Sequence, residues 1–232
     1  METIVEGTAV VLAACARYRK PILIASTSEV YGKSQKTPYS EDDDSVIGPP
    51  TCRRWAYASA KALDEFLALA WWRQVRLPVV VARLFNTIGP RQTGQYGMVV
   101  PTFARQALRG EAITGYGDGR QTRCFCHVRD TVGALRRLLA QPECRGQVVN
   151  VGNDREVRIA DLADMVRRLA GSDSPIACVP YQQAYGEGFE DMTRRIPDLS
   201  KARRLIGYQP QVPLEEALAD VIADQRQELL DA

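Results

Sequence analysis

Two short runs of uninterrupted apolar residues constrain this chain more than any other feature. Pro-Ile-Leu-Ile-Ala-Ser occupies residues 21–26 and Pro-Val-Val-Val-Ala-Arg-Leu occupies 78–84. Neither alternates polar with apolar residues, so each fits a strand buried on both faces rather than one with a wet side. Between them, residues 56–74 carry a helical pattern. Leu63, Phe66, Leu67, Ala70 and Trp71 form one apolar stripe, with Leu69 and Trp72 outside it. So wide an apolar surface predicts burial on two sides, against a sheet and against something else. Buried strand, helix, buried strand predicts a parallel sheet in an α/β fold.

The same reading predicts further helices over 99–108, 131–139, 161–169 and 214–229, and a strand at Gln147-Val-Val-Asn-Val-Gly152 that ends in a turn. Two loops rich in Pro, Gly and charge, 33–54 and 180–198, are candidate walls of a substrate cleft. There is no internal repeat and no low-complexity segment.

Charge and cysteine usage exclude several classes. With 30 basic and 28 acidic residues the net charge is only +2, which gives no broad electrostatic case for nucleic acid or a membrane surface. The pairs Arg136-Arg137, Arg167-Arg168 and Arg203-Arg204 read as solvated helix faces. No apolar run reaches the roughly 20 residues of a membrane helix, and the N-terminus lacks a basic region followed by a hydrophobic stretch. The expected location is cytoplasmic. Six scattered cysteines argue against a disulfide framework. In Cys124-Phe-Cys126-His127, strand alternation puts both thiols on one side, and no second Cys/His pair follows at zinc spacing. Buried reduced thiols and no metal are expected. His127 is the single histidine and sits in an apolar segment, so a histidine-dependent triad is not expected.

The candidate chemistry gathers after the apolar runs. Tyr57-Ala-Ser-Ala-Lys61 opens the helix of residues 56–74, and four residues is one turn, so phenol and ammonium share a face. A cation held that close favours the phenolate. Tyr57 is therefore a candidate proton acceptor for a substrate hydroxyl, although a solvated helix face would carry the same spacing. Thr27, Ser28 and Glu29 follow directly from the first strand, and ligands of open α/β sheets bind beyond the carboxyl ends of strands. A polar turn satisfying its own backbone is the other reading. Asn86 follows the second strand, with an amide that can both donate and accept. Gly115-Tyr-Gly-Asp-Gly-Arg-Gln-Thr-Arg123 is either a surface hairpin or a loop ending in an arginine whose planar fork suits a diphosphate.

Taken in order, the blocks Ser26 to Gly32, Tyr57 to Lys61, Arg83 to Arg91, Gly115 to Arg123, Asn150 to Asn153 and Arg194 to Asp198 resemble one family. It is the extended short-chain dehydrogenase/reductases of the NAD-dependent epimerase/dehydratase type, and within it the UDP-glucuronate decarboxylases and dTDP-glucose 4,6-dehydratases. The resemblance implies a partial Rossmann-like, doubly wound parallel sheet over residues 1–90. It also implies a smaller C-terminal α/β substrate-binding region over 91–232, with some segments returning to the sheet. Tyr57 and Lys61 would serve catalysis and contact NAD, and Thr27 would bind the sugar 4-hydroxyl. Ser28 and Glu29 stand at the positions that separate the subfamilies, and an acid at the second fits dehydratases and decarboxylases. Asn86, Tyr116, Arg123 and Arg195 would contact a nucleotide-diphosphate sugar. A homodimer would bury the Trp72 side of the helix in a four-helix bundle.

The family's strand–glycine-rich turn–helix, which holds the dinucleotide pyrophosphate at a helix N-terminus, has no counterpart here. Gly115 to Gly119 does not open an amphipathic helix and fails the context that motif requires. The resemblance therefore implies that about the first third of a typical member is not in this chain, and that NAD binds it weakly. The expected function is NAD-dependent modification of a sugar nucleotide through a 4-keto intermediate, of dehydratase or decarboxylase type. A UDP-sugar 4-epimerase remains open, as does a chain that binds a nucleotide sugar or a subunit without turnover.

Overall fold

The computed structural model describes residues 2–94, 98–179 and 194–231. In chain order its elements begin with α1 (Gly7–Arg17), β1 (Ile22–Thr27), α2 (Trp55–Val75), β2 (Val79–Leu84), β3 (Thr87–Ile88) and α3 (Val99–Leu108). Next come β4 (Ile113–Tyr116), β5 (Thr122–Cys124), β6 (Cys126–His127), α4 (Val128–Ala140) and β7 (Gln147–Val151). The chain closes with β8 (Glu156–Arg158), α5 (Ile159–Ala170), β9 (Ile176–Val179), α6 (Ser200–Ile206) and α7 (Leu214–Leu230). It divides into two compact units. The first holds Met1–Phe85, Thr131–Asp154 and Ile196–Gln209, and the second holds Asn86–Asp130, Arg155–Arg195 and Pro210–Ala232.

The first unit is built on a three-stranded parallel sheet in the order β1-β2-β7. Successive side chains of a strand leave by opposite faces, and β2 shows why an unbroken apolar run was needed. Val79 and Val81 pack with Leu12 of α1 and Ala68 of α2. Val80 and Ala82 pack with Ala134 and Leu138 of α4 and with Ala202 and Ile206 of α6. Helices thus cover both faces of the sheet. The apolar runs are strands as expected, and the helix expected over 56–74 extends one residue further at each end.

The apolar stripe of α2 lies inward only in part. Leu67 and Trp71 pack against the core beside Ala68, whereas Phe66 is 71% exposed and Leu63 43%. The fully buried positions include alanines, which let the backbone approach closely, and two carboxylates, Asp64 and Glu65, that find cationic partners. Trp72 is half-buried and packs within this unit: its indole lies where a Cβ on Gly146 would collide. Gly146 has φ +73°, a second reason for glycine there.

In the second unit, α3, α5 and α7 bury one core that includes Phe103, Leu162, Val166 and Leu218. Its strands form pairs: β3 with β6 and β4 with β9 in parallel, β5 with β8 antiparallel. β4 and β5 do not pair with each other, so Gly115 to Arg123 is not a hairpin. Cys124 and Cys126 are buried thiols. Of the two expected cleft loops, residues 180–193 lie outside the described residues. The other is fastened to the first unit. Gly32 bridges to Val46, Tyr39 bridges to Pro197, and the Tyr39 ring stacks on Tyr31 at 4.7 Å. Among the described residues no helix is long and apolar enough to cross a membrane.

Candidate active site

At the carboxyl end of β1 the chain leaves the sheet in a 3-10 turn, Ser28–Tyr31. Thr27 caps it: Glu29 N–H donates to Thr27 Oγ1 at 3.2 Å. An accepting lone pair is used there, and the Thr27 hydroxyl proton is left to donate. Ser28 is buried beneath the turn. Gly32 ends the turn at φ +61°, and a Cβ there would strike the Val46 carbonyl, so only glycine allows the following loop to close down. Glu29 faces the start of α2, where Arg54 Nη2 lies 3.6 Å from its Oε2. Tyr57 is on the first turn of α2 and half exposed. One turn on, Lys61 donates to Asp64 Oδ2 at 2.9 Å. Thr27, Ser28, Glu29, Tyr57 and Lys61 are thus carried by neighbouring elements of one unit.

Beneath this surface lies a buried polar network. Ser26 Oγ and Arg83 both donate to Glu65, the guanidinium through Nη2 at 2.8 Å and Nε at 3.1 Å. Arg83 Nη1 donates to the Glu41 carbonyl at 3.1 Å, and its guanidinium sits 4.7 Å over the Tyr31 ring. Tyr31 Oη donates to Asn150 Oδ1 at 2.7 Å, and Asn150 Nδ2 donates to the Tyr39 carbonyl at 2.9 Å. The network joins the ends of β1, β2 and β7 to α2 and to the loop of residues 33–54. Burial pushes the Tyr31 phenol up to about 12, against the lowering effect of Arg83. Burial opposes the Arg83 charge, but the hydrogen bonds and charge of Glu65 outweigh it and raise its pKa. A signal did exist in the sequence: an arginine inside a strand buried on both faces requires an anionic partner.

The four expected substrate residues belong to the second unit and gather around β5. Asn86 Nδ2 donates to the Cys124 carbonyl at 3.0 Å, which ties it to the strand end beside Arg123. Gln121 Nε2 donates to the Tyr116 carbonyl at 2.6 Å. Arg123 lies on β5 opposite Val157 of β8. Next to it in that ribbon, Glu156 holds Arg194 at 2.7 Å, which fixes the entry to the buried Arg195. Hydrogen bonding by Arg194 lowers the Glu156 pKa. His127 is buried and pairs with Asp220 at 3.2 Å, within this unit.

The chain is similar to known proteins over nearly its whole length. The family model described as GDP-mannose 4,6 dehydratase matches residues 1–221. A UDP-N-acetyl-alpha-D-glucosaminuronate decarboxylase of Bacillus cytotoxicus is 40% identical over 223 residues, which are 96% of this chain and 68% of that protein. The UDP-glucuronic acid decarboxylase 1 of Xenopus tropicalis is 39% identical over 226 residues, and the match spans about half of its length, 51%. The structure of UDP-glucuronic acid 4-epimerase from Bacillus cereus, in complex with UDP-glucuronic acid and NAD, superposes with a TM-score of 0.85 at 25% identity. That match covers 98% of this chain and 68% of the epimerase. The chain is a member of the NAD-dependent epimerase/dehydratase family.

Proposed function

We propose that this chain carries the catalytic and sugar-binding residues of an NAD-dependent enzyme that converts a nucleotide-linked uronate through a 4-keto intermediate, with loss of the C6 carboxylate. The observation that supports this reading is that Thr27 and Glu29 after β1 and Tyr57 and Lys61 at the start of α2 are carried by elements packed on one another. A set with Tyr and Lys one turn apart suits proton removal from a hydroxyl, and the added carboxylate suits a second proton step next to it.

The residues present fit part of the cofactor. Lys61 borders a cavity of about 380 Å³ between the free edge of β1 and Gly7 and Thr8. That space suits the ribose end, with the Lys61 ammonium as hydrogen-bond donor. The 232 residues contain no glycine-rich turn for the pyrophosphate, so we expect weak binding that saturates only at high NAD concentration. Bound NAD would accept hydride from the sugar C4 and later return it. Tyr57 Oη, as the phenolate, takes the proton of the 4-hydroxyl and becomes a neutral phenol, and the Lys61 ammonium stabilises the phenolate beforehand. Thr27 Oγ1 donates to the same hydroxyl oxygen and orients it. Once C4 is a ketone, the C5 carboxylate is β to a carbonyl and leaves as carbon dioxide. Glu29 delivers the proton that C5 takes up as the C5–C6 bond breaks. Asn86, Tyr116, Arg123 and Arg195 hold the nucleotide diphosphate.

The relatives' names favour decarboxylation over dehydration, and Glu29 favours either over simple 4-epimerisation, which needs no such carboxylate. We further propose a homodimer that covers Val10 and Val11 of α1 together with Leu63 and Phe66 of α2, all exposed. Such a patch is unusual on a free surface, and a two-fold axis would bury both copies at once. Incubation with UDP-glucuronic acid and saturating NAD, followed by proton NMR of the sugar, tests the function. A UDP-pentose supports the reading. The C4 epimer would make the chain an epimerase, and an unchanged but bound sugar would make it a binding protein.

A further inference from the structure

The turns at the amino end of the first unit's sheet gather positive charge. β1, β2 and β7 run parallel, with Ile22 beside Val79 and Val80 beside Gln147, so the segments that enter them meet at one end. Ile22 N–H donates to the Pro78 carbonyl at 2.9 Å, and Gly146 N–H to the Val79 carbonyl at 2.6 Å. Cys15 and Ala16, late in α1, share a core cluster with Trp71 and Leu77 at the end of α2. Arg17, Arg19, Lys20, Arg73, Arg76 and Arg145 are thereby brought to this end, and all are exposed. The same segments, residues 17–20, 73–76 and 141–146, hold a single acid, Glu143. The chain's net charge is only +2, so the rest of it is net negative.

Ordinary helix chemistry covers only part of this. A helix C-terminus favours cations, which suits Arg17 and Arg73, but Arg19, Lys20 and Arg145 lie beyond any α-helix. Arg19 and Arg76 have φ of +52° and +58°, where glycine is the default residue. Among the described residues none of the six has a carboxylate oxygen within 4.0 Å. Two of them stand over aromatic rings: Arg17 is 5.5 Å from the centroid of Tyr18, and Arg76 is 5.3 Å from that of Trp72. In their midst Tyr18 is 64% exposed and Val75 56%. These turns present no α-helix side or strand pair of the kind that enters a nucleic-acid groove. Cations around an exposed aromatic and an exposed aliphatic side chain match an anionic bilayer instead. There the charges reach the headgroups and the apolar groups settle at their inner boundary.

We propose that this end of the sheet is a peripheral docking surface for a bilayer rich in anionic lipid. The six residues of β1, Ile22–Thr27, separate it by about 20 Å from the turn that carries Glu29. Docking therefore leaves the candidate active site facing away from the bilayer. It needs no particular chemistry at that site.

Co-sedimentation of the full chain with vesicles tests the surface, using phosphatidylcholine alone and phosphatidylcholine with phosphatidylserine. The chain should bind the mixed vesicles and not the neutral ones, and should bind less at high salt. Arg73→Gln with Arg145→Gln, and Arg17→Gln with Lys20→Gln, should each weaken binding roughly 25-fold, at about fivefold per cation. Tyr18→Ser should weaken it too, whereas Arg168→Gln, in the second unit, should not. Thermal unfolding identifies the variants that keep the fold, and those are compared. Equal binding to both kinds of vesicle, no binding to either, or undiminished binding by a folded double variant overturns the surface. So does a DNA duplex that binds the chain where the mixed vesicles do not.

Discussion

Lys61 Nζ lies 2.9 Å from Oδ2 of Asp64, a carboxylate with no exposed surface at all. The lysine of the candidate site is thus also the counter-charge of a buried acid. Removing one partner of such a pair strands the other. We expect Lys61→Met to destabilise the chain by about 3–5 kcal/mol, and Lys61→Met with Asp64→Leu to recover most of that. Urea unfolding of the single and double variants checks it. If Lys61→Met alone is as stable as the parent, Asp64 is not held by this pair.

The Tyr31 phenol gives a pH signature. Its pKa is pushed up from 10.0 to about 12 by burial, so the folded state prefers the neutral phenol more strongly than the unfolded state does. That contribution to stability is fully present below pH 10.0 and is lost as pH rises through about 12. Phenolate absorbance should show one of the nine tyrosines titrating near the upper value, absent in Tyr31→Phe. That variant should also lose on the order of 1 kcal/mol, because Asn150 Oδ1 loses its donor.

Light scattering tests the exposed face of α1 and α2. Phe66→Glu should give a folded monomer where the parent chain is a dimer, since the change puts two like charges at the centre of an apolar interface. A parent chain that is monomeric at micromolar concentration contradicts the pairing.

The sheet was legible because burial on both faces forces Val79 to Ala82 to be apolar without a break, and few other structures demand that. The position of the reactive turn was legible for the same reason: Thr27 to Glu29 begin where β1 runs out of apolar residues. The inward face of α2 was legible only in part, in Leu67 and Trp71, which pack on the core. Ala68 and Ala58 look indifferent in a hydrophobicity pattern, while Phe66 looks like core, yet close packing of α2 on the sheet favours the small residues. Glu65 and Asp64 were missed because their partners, Arg83 and Lys61, are identified only once the helix has been laid on the strands.

The central claim is that Glu29 makes this a lyase site, and the most direct measurement is the fate of C6 in Glu29→Gln. UDP-glucuronic acid labelled with carbon-13 at C6 is incubated with saturating NAD and followed by NMR. The parent chain should release the label as bicarbonate. Glu29→Gln should do so about a hundredfold or more slowly, with the 4-keto sugar accumulating, whereas Tyr57→Phe should form no keto sugar at all. Release at the parent rate by Glu29→Gln, or a parent chain that inverts C4 and keeps the label, contradicts the account.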